Sequence, residues 1–583
     1  MNLERSLTGR RWVLRSADDR LALGIAQRLG VPEMVGRLLA ARLADVELAH
    51  HFLEPTLRAL LPDPSVLADM DAAAERLAYA VRRGETVGVF GDYDVDGACS
   101  TAVMTLLLRG LGCSVLTHVP DRMLEGYGPN LPALQGLVGQ GATLIVCVDC
   151  GTSAGAVLAA VAGSDVIVLD HHATDGPPPP VLATVNPNRL DCQSGLGACC
   201  AAAIAFMTAV ATVRTLRKSG FFAGRGEPDL KELLDLVALA TVCDVMPLQG
   251  LNRALVTQGL RVMARRARPG IAALLEAAGA KDVPTAMTCG FGLGPRINAA
   301  GRIGDAGLGL RLLLTDDPVE ARVLALRLDS TNRDRQEVEA GMLEDALAQA
   351  AAQAQAGRAV ILVSGEGWHS GVVGIVAGRI KERFNRPACV AAIGEDGVAK
   401  GSGRSVAGVD LGHAVMAARQ HGMLSAGGGH AMAAGFSLDA SRLDEFHAFL
   451  DGALAHAAGL PAAADLAVEG SLAIGGATVE LAQQLGRLSP FGNGNEEPAF
   501  VLPRARVARA ERIGREGATI RAWLVGEGGG PRLKALLFRA GDGALAQALV
   551  GGGPALHLAG HLRAEEWNGT VSATFSIADA AAA

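Results

Sequence analysis

Aromatic residues are scarce in this 583-residue chain: 4 Trp, 3 Tyr and 14 Phe amount to 4% of it. That supply excludes a binding surface built on stacking many bases against aromatic rings. A basic excess is missing too, because 60 Asp and Glu outnumber 53 Lys and Arg and leave a net charge of −7. Such a balance excludes indiscriminate coating of a polyanion but leaves room for a local basic channel. Half of the residues are hydrophobic, yet no run of about 18 uninterrupted apolar residues occurs, so no membrane span is expected. The charged start Met1-Asn2-Leu3-Glu4-Arg5 leads into no apolar signal-peptide core. The 10 cysteines are neither dense nor regularly spaced. Cys99, Cys147, Cys243 and Cys389 sit in apolar segments and read as small buried hydrophobes in a reducing compartment. Cys147 and Cys150 form a C-x-x-C that begins inside a strand and lacks a second pair, which argues against zinc or redox work. A cytoplasmic protein is expected.

What the chain does have is Gly91-Asp92-Tyr93-Asp94-Val95-Asp96-Gly97, set between the apolar run Val87 to Phe90 and the helix-like segment Ala98 to Arg109. Three carboxylates at alternate positions, where a strand hands over to a helix, converge on one small volume and repel one another. A divalent cation removes that penalty; the bland alternative is a solvated acidic turn. An EF-hand is excluded, because the position six residues after Gly97 is Val103 rather than a bidentate Glu.

Two further apolar runs end in the same way. Ala142 to Val148 runs into Asp149, and Asp165 to Leu169 runs into Asp170-His171-His172. Continuous β-branched runs of this length predict strands buried on both faces of a parallel sheet, whose ligands bind beyond the carboxyl ends of the strands. A fourth apolar segment, Leu236 to Cys243, reads as helix or strand and is closed by Asp244. Singly, an Asp after a strand is a common helix N-cap. Together, the four segments bring an oxygen- and nitrogen-rich set to one rim, which suits Mg²⁺ or Mn²⁺.

The DxD loop, Asp149, Asp170-His171-His172 and Asp244 resemble, in order, the motifs of the DHH phosphoesterase superfamily. The similarity is greatest to its bacterial single-strand exonuclease branch. It continues through Asp121-Arg122, Glu125-Gly126-Tyr127-Gly128, Arg296 to Arg302, Ser402-Gly403-Arg404-Ser405, Gly427-Gly428-Gly429-His430 and Pro490-Phe491-Gly492-Asn493-Gly494. The resemblance implies a metal-dependent 5′ to 3′ exonuclease that degrades single-stranded DNA to mononucleotides in repair and recombination. The alternative is a DHH phosphodiesterase acting on short oligonucleotides or cyclic dinucleotides; a non-catalytic DNA-binding scaffold is a third reading.

Phosphodiester hydrolysis needs an activated nucleophile and neutralised phosphate charge, and two cations about 4 Å apart supply both. The motif match implies one Mn²⁺ or Mg²⁺ on Asp94 and Asp149 with help from Asp92. It implies the other on Asp96, Asp149, His171 and Asp244. His172 is expected to face away from His171 if both extend the strand, and to support the leaving group or phosphate. Asp170 reads as a hydrogen-bond partner of the ligands. By the same resemblance Arg122, Ser402 and Arg404 hold a 5′ phosphate, His430 contacts phosphate, and Arg296, Asn298 and Arg302 line the DNA path. Single-strand-binding protein and a helicase are the implied partners of a monomer.

The expected fold is α/β: a parallel-sheet DHH domain (81–317), preceded by a helical region (1–80), is joined by a long helix (318–356) to a smaller α/β DHHA1 domain (357–456). That helix is expected to break only near Gly341. After a linker around Ala457 to Ala464, five short alternating segments predict an OB-like barrel (465–583). Residues 504–539 carry nine basic residues, Arg504, Arg506, Arg509, Arg512, Arg515, Arg521, Arg532, Lys534 and Arg539, against Glu511, Glu516 and Glu527. They offer either a basic channel or a solvated strand face.

Overall fold

The apolar run that ends at Phe90 forms the strand Thr86–Phe90, which lies between Ser114–His118 at one edge of its sheet and Leu144–Val148 on the inner side. Asp165–Leu169 and Ala183–Val185 complete five strands, all parallel. Alternation along these strands sorts their side chains into two cores. Val87, Val89, Val146, Val148, Ile167 and Leu169 pack with the helices Met70–Arg83, Val95–Gly110 and Ala201–Lys218. Phe90, Ile145, Cys147, Val166 and Val168 pack with Leu131–Gly139 and Gly155–Ala159. The chain leaves Thr86–Phe90 for one neighbour and returns to the other, so a topological switch point opens beyond Phe90 and Val148, where such sheets bind ligands.

The computed structural model describes every residue except Met1, Asn2, Met123, Ala462, Arg515 and Glu516. Ala462 of the linker, Arg515 and Glu516 of the basic stretch and the first two residues therefore lie outside the described residues. The described chain forms two compact units. One, His50–Asp334 with Pro490–Glu496, contains the parallel sheet. The other combines Met1–Ala49, Arg335–Ser489 and Glu497–Ala583.

In the second unit a mixed sheet runs in the order Ala426–His430, Ala433–Asp439, Val398–Arg404, Ala388–Ile393, Ile361–Glu366, and only its last pair is parallel. Phe500–Ile513, Thr519–Gly526, Gly529–Phe538, Thr570–Ala582 and Leu556–Trp567 form a barrel, closed where Leu556–Trp567 pairs back onto Phe500–Ile513. The basic stretch on this barrel is partly neutralised: Arg504 pairs with Glu527, Arg509 and Arg521 with Glu511, Arg512 with Asp542, and Lys534 with Glu565.

Two expectations about local structure need correction. The helix Pro318–Gln355 is unbroken at Gly341, because the cost of one glycine, about 1 kcal/mol, is small beside a helix of this length. The amino-terminal region is not helical throughout: Trp12–Leu14 is a strand paired in parallel with Leu466–Val468. Trp12 is fully buried, and its indole Nε1 donates to Asp579 Oδ2 at 2.9 Å. No helix among the described residues is long and apolar enough to cross a membrane.

Replacing Trp12 by Phe leaves the buried Asp579 carboxylate without this donor, a loss of about 1–3 kcal/mol. The expected result is a lower thermal transition for the unit that holds the barrel, read by differential scanning calorimetry. An unchanged thermogram refutes the assignment.

Candidate metal centre

Asp94 opens the helix Val95–Gly110 as its N-cap, accepting from Gly97 N at 3.0 Å. The tight turn brings the Asp92 carbonyl to 2.4 Å from where a Gly97 Cβ would stand, so only glycine fits there. Asp96, 2% exposed, faces inward and accepts from Ala201 N at 2.7 Å and Ala202 N at 2.8 Å. It thereby caps the helix Ala201–Lys218, whose own N-cap residue, Cys200, makes no side-chain cap. The positive end of that helix favours the charged carboxylate.

Asp149 follows Val148 with φ at 60°, a left-handed conformation uncommon for a side-chain-bearing residue and typical of strained functional positions. Its carboxylate is buried. The strand Asp165–Leu169 ends before Asp170, so strict alternation no longer governs the two histidines. Contrary to expectation, both imidazoles face the site, with ring centroids 4.6 Å apart. His171 Nε2 lies 3.3 Å from Asp149 Oδ1, 3.6 Å from Asp244 Oδ2 and 3.8 Å from Asp96 Oδ2. His172 Nδ1 lies 2.8 Å from Asp170 Oδ1 and 4.0 Å from Asp149 Oδ1. Asp170 also accepts from Thr152 N and His171 N.

Three residues that position the site carry no assignment from the sequence. Asn186 follows the strand Ala183–Val185 and donates to Thr152 Oγ1 and to the His172 carbonyl, both at 2.9 Å. Asn188 donates to the His171 carbonyl at 2.5 Å. A signal for them exists, since Ala183–Val185 is one more strand closed by a polar residue, but it is only three residues long. Tyr127 stands in a matched motif without a role there; its hydroxyl donates to the Asp149 carbonyl at 3.3 Å and reaches His172 Nδ1 at 3.1 Å.

Asp244 comes from the end of a helix, Leu234–Cys243, and not from a strand. Three groups of ligand atoms, each within 4.8 Å of one another, result: Asp92, Asp94 and Asp149; Asp96, His171 and Asp244; and Asp149, His171 and His172. Asp149 is common to the first and third. Burial, then Asp94, pushes the Asp92 carboxyl up to about 8. Burial, then Asp96 and Asp94, does the same to Asp244, also to about 8. Asp96 and Asp149 are raised chiefly by burial. Asp170 moves the other way: burial opposes its charge, and hydrogen bonds from His172 and Thr152 overcome that opposition. Asp92 Oδ1, Asp149 Oδ1 and Asp244 Oδ2 are buried oxygens with no hydrogen-bond donor. Hard, unsatisfied oxygens beside the His171 imidazole, whose burial disfavours its charge, fit Mg²⁺ or Mn²⁺.

The remaining expected site residues divide between the units. Beside the acidic loop, the Arg122 guanidinium lies 5.1 Å from the centre of the Tyr93 ring, and Arg302 is near enough to act on the same phenol. Arg296 and Asn298, expected on a DNA path, both make contacts within the fold. Arg296 pairs with Asp329 at 2.9 Å and donates to the Gly292 carbonyl, while Asn298 Oδ1 accepts from Val95 N at 3.2 Å and fixes the helix start beside Asp94. In the second unit Arg404 Nη1 donates to Ser402 Oγ at 2.9 Å. Gly374, in the first turn of the helix Val373–Phe384, lies directly against both side chains. His430 ends the strand Ala426–His430, exposed.

Acids and imidazole gathered at the switch point of a parallel sheet define the catalytic module of a DHH phosphoesterase. The DHH family, N-terminal domain, matches residues 86–241, the DHHA1 domain 356–456 and the RecJ OB domain 468–579. The single-stranded-DNA-specific exonuclease RecJ of Dickeya dadantii is 41% identical over 502 residues, covering 83% of this chain and 86% of that protein. Its Escherichia coli counterpart is 39% identical, covering 87% and 89%. The crystal structure of RecJ from Thermus thermophilus in complex with Mn²⁺ matches with a TM-score of 0.80 at 32% identity, covering 98% of this chain and 79% of that one. The same protein in complex with Mg²⁺ matches at 0.76. The chain belongs to the RecJ family.

A cation at a hundred times its Kd stabilises the native state by about 2.7 kcal/mol. Mn²⁺ is therefore expected to raise the melting temperature of the catalytic unit, and Asp149→Asn to abolish that shift. Asn tolerates the left-handed backbone and removes a charge from the crowd, so the metal-free variant should melt no lower than wild type. A Mn²⁺ shift of wild-type size in Asp149→Asn refutes the site.

Proposed function

We propose that this chain is a metal-dependent, single-stranded-DNA-specific exonuclease that works from 5′ to 3′ and releases mononucleotides in repair and recombination. The observation that carries the reading is a cluster of carboxylates and imidazole in which buried oxygens of Asp92, Asp149 and Asp244 lack a hydrogen-bond donor, in a chain of the RecJ family. We further propose that it acts as a cytoplasmic monomer, with single-strand-binding protein and a helicase as partners. The proposed division of the chain keeps the boundaries 81–317, 318–356, 357–456 and 465–583.

Asp92, Asp94 and Asp149 are assigned to one divalent cation, and Asp96, Asp149, His171 and Asp244 to the other. When bound, the pair supplies an activated nucleophile and neutralises charge on the scissile phosphate and departing oxygen. His172 is gripped through Nδ1 by Asp170 and steadied by Tyr127. This fixes its ring toward the site, where it donates to a phosphate oxygen or the leaving group. Asn186 and Asn188 hold the backbone of the two histidines. Arg122 and Arg302 grip the strand near the acidic loop, since guanidinium groups bind phosphate oxygens bidentately. The pairing of Arg404 with Ser402 beside the first turn of Val373–Phe384 supports a role for them in holding the 5′ phosphate, because a helix amino terminus adds amide donors to the guanidinium. His430 is assigned to phosphate as well.

End-labelled single-stranded, double-stranded and di- to tetranucleotide substrates, each with Mn²⁺ or Mg²⁺, test the reading. Degradation of long single strands from the 5′ end supports it; preference for the shortest substrates selects the oligonucleotide or cyclic-dinucleotide phosphodiesterase, and binding without turnover selects a scaffold. Asp149→Ala is expected to abolish turnover. Arg404→Ala should raise KM for a 5′-phosphorylated end about 10-fold or more, the loss of a charged hydrogen-bond pair, and change kcat little. Equal KM values in Arg404→Ala and wild type remove Arg404 from the pocket.

A further inference from the structure

Asp244 is held in place by a turn that is unfavourable in itself. The helix Leu234–Cys243 closes with Asp244 N donating to the Ala240 carbonyl, and the chain then reverses through Val245 at φ 57°. For a β-branched residue this is a true outlier, and such a conformation persists only where the surroundings over-determine it. Val245 is exposed, so packing of its own side chain does not hold it.

Local helix-end bonds close the turn, Val245 N to the Val242 carbonyl at 3.2 Å and Met246 N to the Thr241 carbonyl at 3.1 Å, and further support comes from far along the sequence. Asn493 Nδ2 donates to the Val245 carbonyl at 2.6 Å, and the Asn493 carbonyl accepts from Leu248 N at 2.8 Å. Gln249 Nε2 donates to the Gly494 carbonyl at 2.7 Å. The turn from Val245 to Gln249 is thus stitched to the segment Pro490–Glu496, which groups with the catalytic unit although the chain on either side of it groups with the other. A Cβ on Gly492 would stand 2.8 Å from Leu248 Cδ1, and one on Gly494 3.0 Å from Pro247 Cβ, with Gly494 at φ 70°. The glycines of this motif are therefore demanded by close approach to the Asp244 turn. Asn495 Nδ2 closes the loop on the Pro490 carbonyl at 2.9 Å, and the buried Arg253 guanidinium reaches that same carbonyl at 3.4 Å while donating to the Phe52 carbonyl at 2.7 Å.

We propose that Asn493 is a positioning residue of the metal centre: its side-chain amide locks the strained Val245 turn and so fixes the Asp244 carboxylate toward the cation it shares with Asp96 and His171. The inference rests on the proposed assignment of Asp244 as a ligand. Asn493 touches neither substrate nor metal and acts through the backbone of the residue after the ligand.

The test is a Mn²⁺ binding isotherm of the full chain, read by the electron paramagnetic resonance of free Mn²⁺, with the melting temperature of each variant recorded alongside. Wild type should bind two ions, and Asp244→Asn should lose or weaken one. Asn493→Asp keeps the shape but has no donor, and Asn493→Ala removes the side chain. In both, one Mn²⁺ should bind about 10- to 100-fold more weakly, the usual effect of losing a partner that orients a ligand, while the other keeps its affinity. Gln249→Ala, which loosens the loop without touching Val245, should show the same site-selective loss in smaller measure, and it serves if Asn493→Ala fails to fold. Half-maximal activity should require correspondingly more Mn²⁺, with the rate at saturating Mn²⁺ within a few fold of wild type. Two unchanged sites in the Asn493 variants, or equal weakening of both with a lower melting temperature, overturn the positioning role alone. Two unchanged sites in Asp244→Asn overturn the ligand assignment and this inference with it.

Discussion

Asp92, Asp96, Asp149 and Asp244 are drawn out of water into one small volume, where burial disfavours the charge on each and neighbours add to the penalty. The architecture around them answers that repulsion locally. Asp96 is met by two amides at a helix start, Asp94 commits one oxygen to its own helix, and Asp170 is surrounded by donors that keep it charged. Backbone strain is the other device. Asp149 and Val245 are both left-handed, and these unusual turns aim carboxylates that a relaxed chain would point elsewhere. A site organised this way is held ready for cations by its scaffold.

Much of this is legible in the sequence because strands buried on both faces leave continuous apolar runs, and a carboxylate at the end of such a run has one place to go. Asp92, Asp149 and Asp170 are marked in this way. Asp244 is legible as a residue but not as a geometry, since an apolar stretch of that length suits helix and strand equally. Alternation misplaces His172 because it is extended past Leu169, where the strand has already ended. Arg296 and Asn298 show a different limit. The resemblance implies a DNA path for both, and their contacts with Asp329 and the Val95 amide join segments too far apart in the chain to be read from spacing.

The second unit is legible in outline. Its barrel strands follow from short alternating segments, and its α/β character from the apolar run at Ala359 to Val363, but the antiparallel pairs of its mixed sheet do not. Nor does the strand Trp12–Leu14, because three residues carry no readable period and the partner strand begins at Leu466. The local excess of arginine is equally deceptive. Counting charges along the chain gives a basic stretch; the folded barrel adds Asp542 and Glu565 from outside it as partners of Arg512 and Lys534 and so offsets part of the excess. The grip on a polyanion is proposed to rest on Arg122 and Arg302 beside the acidic loop and on Ser402 and Arg404, a few contacts at defined places, in keeping with the low aromatic content.

The segment Pro490–Glu496 has a consequence for how this architecture changes over evolutionary time. Modules joined by plain linkers are readily duplicated, shuffled or lost, because each carries its own core. Here a short piece of the carboxy-terminal region belongs to the catalytic unit, so recombination that exchanges the barrel must bring along a loop already matched to Pro247, Leu248 and Gln249. A barrel borrowed from an unrelated protein would arrive without the clasp.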